Sequence, residues 1–187
     1  AFSDLSVLGN VETNEDTLPF LKEIAGESIH GYAQASILGG LTSTSEWEFL
    51  TGNSMAFLPA GSTPYQQYLD SVSNSVVRAL KNAGYHCIGM HPYYAGNWNR
   101  NAAYPMLGFD EIYFEEDLEW DERVRNYVSD RAFVHQIINL FENRNYEEPL
   151  FFFGVTMQNH GGYNIEDFES DIHLEGLSKD YHEVEQY

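Results

Sequence analysis

Leu150-Phe151-Phe152-Phe153-Gly154-Val155-Thr156-Met157, introduced by Pro149, is a continuous apolar run of the kind that forms a strand buried on both faces. Working back from it, Ser129 stands where a helix cap belongs, and Phe133, Ile137, Leu140 and Phe141 make the inner side of a helix that ends near Asn143. Val72, Val76, Val77 and Leu80 form an earlier helical stripe closed by Gly84. Tyr85-His86-Cys87-Ile88-Gly89-Met90 follows at once and reads as a second buried strand. Ile112 to Phe114 is a short strand candidate, and the acidic block from Glu111 to Glu122 around it reads as a solvated face. This alternation predicts an α/β fold with a largely parallel sheet flanked by helices.

The 187 residues suit one domain, 1–187, with a core of its own. A hydrophobic content of 43% argues against disorder. Nine Lys and Arg stand against twenty-nine Asp and Glu, a formal charge of -20, which excludes a general nucleic-acid-binding surface. Cys87 is the single cysteine, so no internal disulfide can form, and its apolar setting makes it a small core residue. No apolar run approaches the roughly 18 to 20 residues of a membrane helix and no signal peptide opens the chain, so the segment is expected to be soluble. There is no repeat and no low-complexity linker.

Chemistry concentrates where strands are expected to end, the place where ligands gather in open parallel sheets. Ile29 to Ser36 is strand-like, Gly39-Gly40 is a permissive turn, and Leu41-Thr42-Ser43-Thr44-Ser45-Glu46 starts a helix, with Ser43 and Glu46 at capping-box spacing. These hydroxyls suit two roles: plain helix caps, or an anion site in which Thr42 meets a phosphoryl group at a helix N-terminus. After the Cys87 strand, His91 leads into a loop with Trp98 and Arg100. The arginine suits a phosphate oxygen and the indole can stack on a ligand, or the loop is simply held by burial of Trp98. After the Phe151 strand comes Asn159-His160, where the imidazole suits either acid/base work or a structural hydrogen bond.

Taken together, Gly40-Leu41-Thr42-Ser43-Thr44-Ser45-Glu46, His91 with Trp98-Asn99-Arg100, Gly108-Phe109-Asp110 and Thr156-Met157-Gln158-Asn159-His160 resemble, in order and over nearly the whole chain, the lipoteichoic acid synthases. These are phosphoglycerol transferases of the sulfatase and alkaline phosphatase superfamily. The resemblance implies a sulfatase/alkaline-phosphatase-like fold, incomplete at both ends. It implies transfer of glycerol phosphate from phosphatidylglycerol to a polyglycerolphosphate or glycolipid acceptor, at the extracellular face of a bacterial membrane, with membrane helices upstream in the parent protein. Thr42 matches the family's nucleophile, which forms a phospho-threonine intermediate and ligates Mn²⁺ or Mg²⁺. His91, Trp98, Arg100 and His160 match its substrate-contacting residues.

The chain departs from the family in three places. The family's metal-binding Glu falls just before the segment matching Ala1-Phe2-Ser3, its Asp-His pair falls beyond Tyr187, and a position that is often acidic is Tyr93 here. A central fragment with one metal ligand, inactive alone, is therefore expected. Two other readings compete: a phosphodiesterase- or sulfatase-type hydrolase of another anionic ester, and a non-catalytic module binding glycerol phosphate or anionic glycan. No Cys-x-Pro-x-Arg or Ser-x-Pro-x-Arg sequence is present to supply a sulfatase's formylglycine.

Overall fold

The computed structural model describes residues 12–31, 33, 35–36, 41–163 and 169–175. They fall into two compact units, one drawn from residues 1–34 and 159–187, the other from 35–158. In the first unit β1 (Glu12–Thr13) is followed by α1 (Pro19–Glu27). In the second, α2 (Thr42–Thr51), α3 (Pro64–Gln67) and α4 (Val76–Asn82) precede β2 (His86–His91). Next come α5 (Arg100–Leu107), β3 (Glu111–Phe114), the strand pair β4 (Arg123–Val124) and β5 (Tyr127–Val128), α6 (Asp130–Glu142) and β6 (Leu150–Gly154). The first unit closes with β7 (Leu174–Glu175), which pairs antiparallel with β1.

The apolar hexapeptide centred on Cys87 becomes the middle strand of a three-stranded parallel sheet, ordered β3-β2-β6. Ile88 lies opposite Glu111 on one side and Phe152 on the other, so all three strands run out at the same edge. Successive side chains alternate between faces. On one face Cys87 joins a core built from Trp47 and Leu50 of α2, Tyr65, Val77 of α4, and Tyr104 and Leu107 of α5. On the other lies α6: a Cβ added to Gly154, which pairs with Met90, would sit 2.7 Å from the Phe133 ring. A glycine interrupts the aromatic strand at that point because the α6 ring takes the space of a side chain. The architecture is the expected α/β arrangement, a parallel sheet flanked by helices.

Local signals fare unevenly. Ser75 and Ser129 cap α4 and α6 by accepting from Arg78 N–H at 3.1 Å and Ala132 N–H at 3.0 Å. Val72 is exposed and lies outside α4, and Phe141, 47% exposed, is off the inner side of α6. The Phe151 run is half-buried rather than buried on both faces, because among the described residues β6 has a strand partner on one side only. The described residues of Ile29–Ser36 form no strand, and Tyr32, Gln34 and Gly39-Gly40 lie outside the described set. Ser43 does not cap α2: the helix begins one residue earlier, at Thr42, behind a left-handed Leu41, and Ser43 is buried in its first turn.

A polar clasp closes the β2–β3 edge. Asp110 donates its backbone N–H to the Cys87 carbonyl at 2.8 Å, accepts from Cys87 N–H through Oδ2 at 2.9 Å, and pairs with Lys81 at the end of α4. Partial burial raises the Asp110 pKa, but the Lys81 and Cys87 bonds outweigh it and hold the carboxyl below its ordinary value. Because the folded value is the lower one, this contribution is present above the unfolded pKa of about 3.9 and fades as pH falls through the folded value. Urea unfolding from about pH 5 to about pH 3 is expected to show wild type losing more stability than Asp110→Asn, which carries no such group.

Candidate active site

Four of the five residues singled out in the sequence belong to the larger unit. Thr42 is the first residue of α2 and is solvent-exposed, so its hydroxyl stands beside the first-turn N–H groups at the positive end of the helix dipole. Leu41 ahead of it has φ 56°, a conformation that costs a branched side chain energy and turns the chain sharply into the helix. Its carbonyl accepts from Thr44 through both the backbone N–H at 2.9 Å and the hydroxyl at 2.5 Å. The turn that presents Thr42 is thus braced from within.

One turn further along the same side of α2 is Glu46, and it does not face water. Arg100, 1% exposed at the start of α5, donates to Glu46 from Nε at 3.1 Å and from Nη2 at 2.5 Å, while Tyr104 adds its hydroxyl at 3.0 Å. Arg100 Nη1 reaches the Asn97 carbonyl at 3.4 Å. Burial lowers the Arg100 pKa, yet the bonds and charge of Glu46 carry it above its ordinary value. Tyr104, pushed well up by burial and then by Glu46, stays a phenol and a donor. Arg100, picked out for a phosphate oxygen, therefore has its forked edge on a carboxylate of the nucleophile's own helix.

Trp98 and Asn99 have φ 55° and 63° and set the entry to α5. Asn99 ties that turn to the Tyr65 carbonyl at 2.9 Å. Trp98 is half-buried, leaving part of its indole at the surface. His91, the last residue of β2, is 1% exposed, and its Nδ1 lies 2.9 Å from the Val155 carbonyl just past β6, which makes Nδ1 the donor. Thr42 and the loop carrying Trp98 are thus joined through Glu46 and Arg100, and His91 joins the exits of β2 and β6. His160 lies in the smaller unit, exposed, with Nδ1 3.3 Å from the Gly161 carbonyl.

The role of Glu46 was not read from the sequence, where it passed as half of a capping box. The available signal was spacing: Glu46 is four residues beyond Thr42, and Arg100 and Tyr104 are four apart on one helix, so two faces could meet. Among the described residues no group of three or more His, Cys, Asp or Glu side chains is placed to hold a metal ion.

An α/β unit with a hydroxyl at a helix mouth and polar groups at the strand exits is a candidate site for an anionic ester. The sulfatase family model matches residues 2–173, and the chain belongs to that family. It is 34% identical over 177 residues to a Rhizobium meliloti protein named as a candidate for cyclic β-1,2-glucan modification, covering 94% of this chain and 27% of that one. A Haemophilus influenzae protein of undescribed role is 27% identical over 176 residues, covering 88% and 30%. The Streptococcus pyogenes phosphoglycerol transferase GacH, solved with sn-glycerol-1-phosphate, superposes with a TM-score of 0.79 at 27% identity, over 98% of this chain and 49% of that one. The Listeria monocytogenes lipoteichoic acid synthase LtaP, at 21% identity and a TM-score of 0.59 over 81% and 38%, shares the fold. The chain thus spans between about a quarter and a half of the length of these relatives.

Removing one member of a buried ion pair strands the other, at a cost of about 3–5 kcal/mol. Glu46→Ala is expected to lower unfolding free energy by about that much, read from urea melts, while the paired replacement Glu46→Leu with Arg100→Met recovers most of it.

Proposed function

We propose that this chain carries the nucleophile and most of the donor contacts of a phosphoglycerol transferase acting on phosphatidylglycerol at the outer face of a bacterial membrane. The observation that carries the reading is Thr42: an exposed hydroxyl at the first position of α2, held by a strained turn and backed by the buried Glu46–Arg100 pair. Membership of the sulfatase family and the likeness to a phosphoglycerol transferase solved with glycerol phosphate support it.

In the proposed reaction the donor phosphate sits at the α2 N-terminus, where peptide dipoles offset its charge. Thr42 Oγ attacks phosphorus, the bond to the diacylglycerol oxygen breaks, and the threonine proton ends on the released diacylglycerol. The phosphoglycerol is then bonded to Thr42. An acceptor hydroxyl attacks the same phosphorus, the Thr42 Oγ–P bond breaks, and the acceptor's proton restores the threonine. His91 and Trp98 are assigned to the donor's headgroup, whereas Arg100 acts through Glu46 to fix the helix on which Thr42 rides. A divalent ion of the Mn²⁺ or Mg²⁺ kind belongs to the proposal, with Thr42 as one ligand and the others outside the described residues. The acceptor is a polyglycerolphosphate, a glycolipid or, as the name of the Rhizobium relative suggests, a glycan.

Hydrolysis is the second reading, because the family model that matches is the sulfatase one and water can take the acceptor's place. The two share Thr42 and separate on product. The intact parent protein is expected to release diacylglycerol from phosphatidylglycerol, with Thr42→Ala reducing the rate at least about a hundredfold. Phosphoglycerol on the acceptor identifies the transferase and free glycerol phosphate the hydrolase. Undiminished release by Thr42→Ala removes both.

A further inference from the structure

The acidic block read in the sequence as a solvated face folds into a cleft of about 550 Å³, directly beside the loop that follows His91. Its aromatic walls are Tyr94 and Trp120, and Leu118, Glu115, Glu116, Glu119 and Arg123 complete it. Hydrogen bonds hold several of these residues. Trp120 donates its indole N–H to the Glu115 carbonyl at 2.9 Å, which sets the plane of the ring. Arg123 binds the Glu115 carboxylate at 2.7 Å. Gln136 of α6 donates to the Glu119 carbonyl at 2.6 Å, and Glu116 approaches Ala95 N–H at 3.4 Å. Tyr94, 65% exposed, leans on Tyr93 with ring centroids 4.9 Å apart.

We propose that this cleft binds the acceptor, and that the acceptor is a neutral carbohydrate. Flat π faces cover the C–H faces of pyranose rings, and carboxylates and a guanidinium between them accept from and donate to sugar hydroxyls. Charge argues against the other acceptor in view. Once Glu115 is paired with Arg123, Glu116 and Glu119 are left to meet the ligand, and a polymer with a phosphate at every unit would be repelled by them. A neutral glycan carries no such penalty. The assignment of the cleft to an acceptor rests on the transfer reading given above; its preference for neutral sugar rests on the cleft alone.

Calorimetric titration of the intact protein with a neutral β-linked glucose tetrasaccharide, and separately with poly(glycerol phosphate), is the test. The tetrasaccharide is expected to bind, with Trp120→Ala weakening it about tenfold or more and Thr42→Ala leaving it unchanged. Should Trp120→Ala lose its fold by circular dichroism, the exposed Tyr94→Ala is measured in its place, with weakening of about threefold or more expected. Poly(glycerol phosphate) binding as tightly as the saccharide, with the same dependence on Trp120, overturns the neutral assignment. Diacylglycerol release from phosphatidylglycerol is followed in parallel. Turnover without any saccharide binding overturns the cleft and leaves the transfer reading standing. Trp120-dependent saccharide binding without turnover upholds the sugar site and removes the transfer reading instead.

Discussion

Glu46 and Arg100 are withdrawn from water together, and much of the larger unit is arranged around that fact. Each charge alone would be costly to bury, so the two side chains and the Tyr104 hydroxyl must meet with good geometry for α2 and α5 to pack at all. Such a pair adds little net stability compared with apolar residues of the same size. What it adds is register: helix α2 cannot slide or rotate against α5 without breaking a forked bond in a low-dielectric interior. Thr42 stands one turn from Glu46 and Trp98 two residues from Arg100, so the pair sets the relative positions of the nucleophile's helix and the loop after β2.

Backbone strain falls in the same region. Four non-glycine residues among those described have positive φ, and three of them, Leu41, Trp98 and Asn99, adjoin Thr42 or Arg100. A left-handed leucine or tryptophan persists only where surrounding bonds over-determine it. Here those bonds are visible: the Leu41 carbonyl holds Thr44 twice, and Asn99 is tied to Tyr65. Strain of this kind is consistent with turns kept for where they point a side chain.

The sheet was legible in the sequence because its signals are local. Cys87, Ile88 and Met90 are apolar at neighbouring positions and the structure buries all three, and Ser129 caps because a hydroxyl before a helix has a nearby N–H to accept from. The pairing of Glu46 was not legible, since it depends on Arg100, 54 residues away, and since Ser43 at capping spacing offered a sufficient local explanation. The same competition misplaced Phe141: helical spacing puts it beside Phe133 and Ile137, but nothing in the sequence says how wide a stripe α6 buries. The candidate site residues were picked out by residue type at the expected strand ends and given roles by likeness to a family, but the partner of Arg100 is visible only in the fold.

A chain with a formal charge of -20 is a poor attractor for a phosphodiester, and the placement of charge rather than its sum resolves this. At physiological ionic strength exposed charges are screened beyond about 8 Å, so a donor phosphate at Thr42 responds mainly to what lies within a turn or so of α2. There the helix end is positive and Glu46, one turn away, is already bound to a guanidinium. Around Tyr94 and Trp120 the local balance is negative. On the proposed reading, two ligands of different charge are sorted by two neighbourhoods of opposite sign: the anionic donor is held off the acceptor cleft, and a sugar without charge is free to enter it. The acidity of the Glu111–Glu122 segment would then serve selectivity as well as solubility, because Glu116 and Glu119 repel a phosphodiester from the acceptor's place.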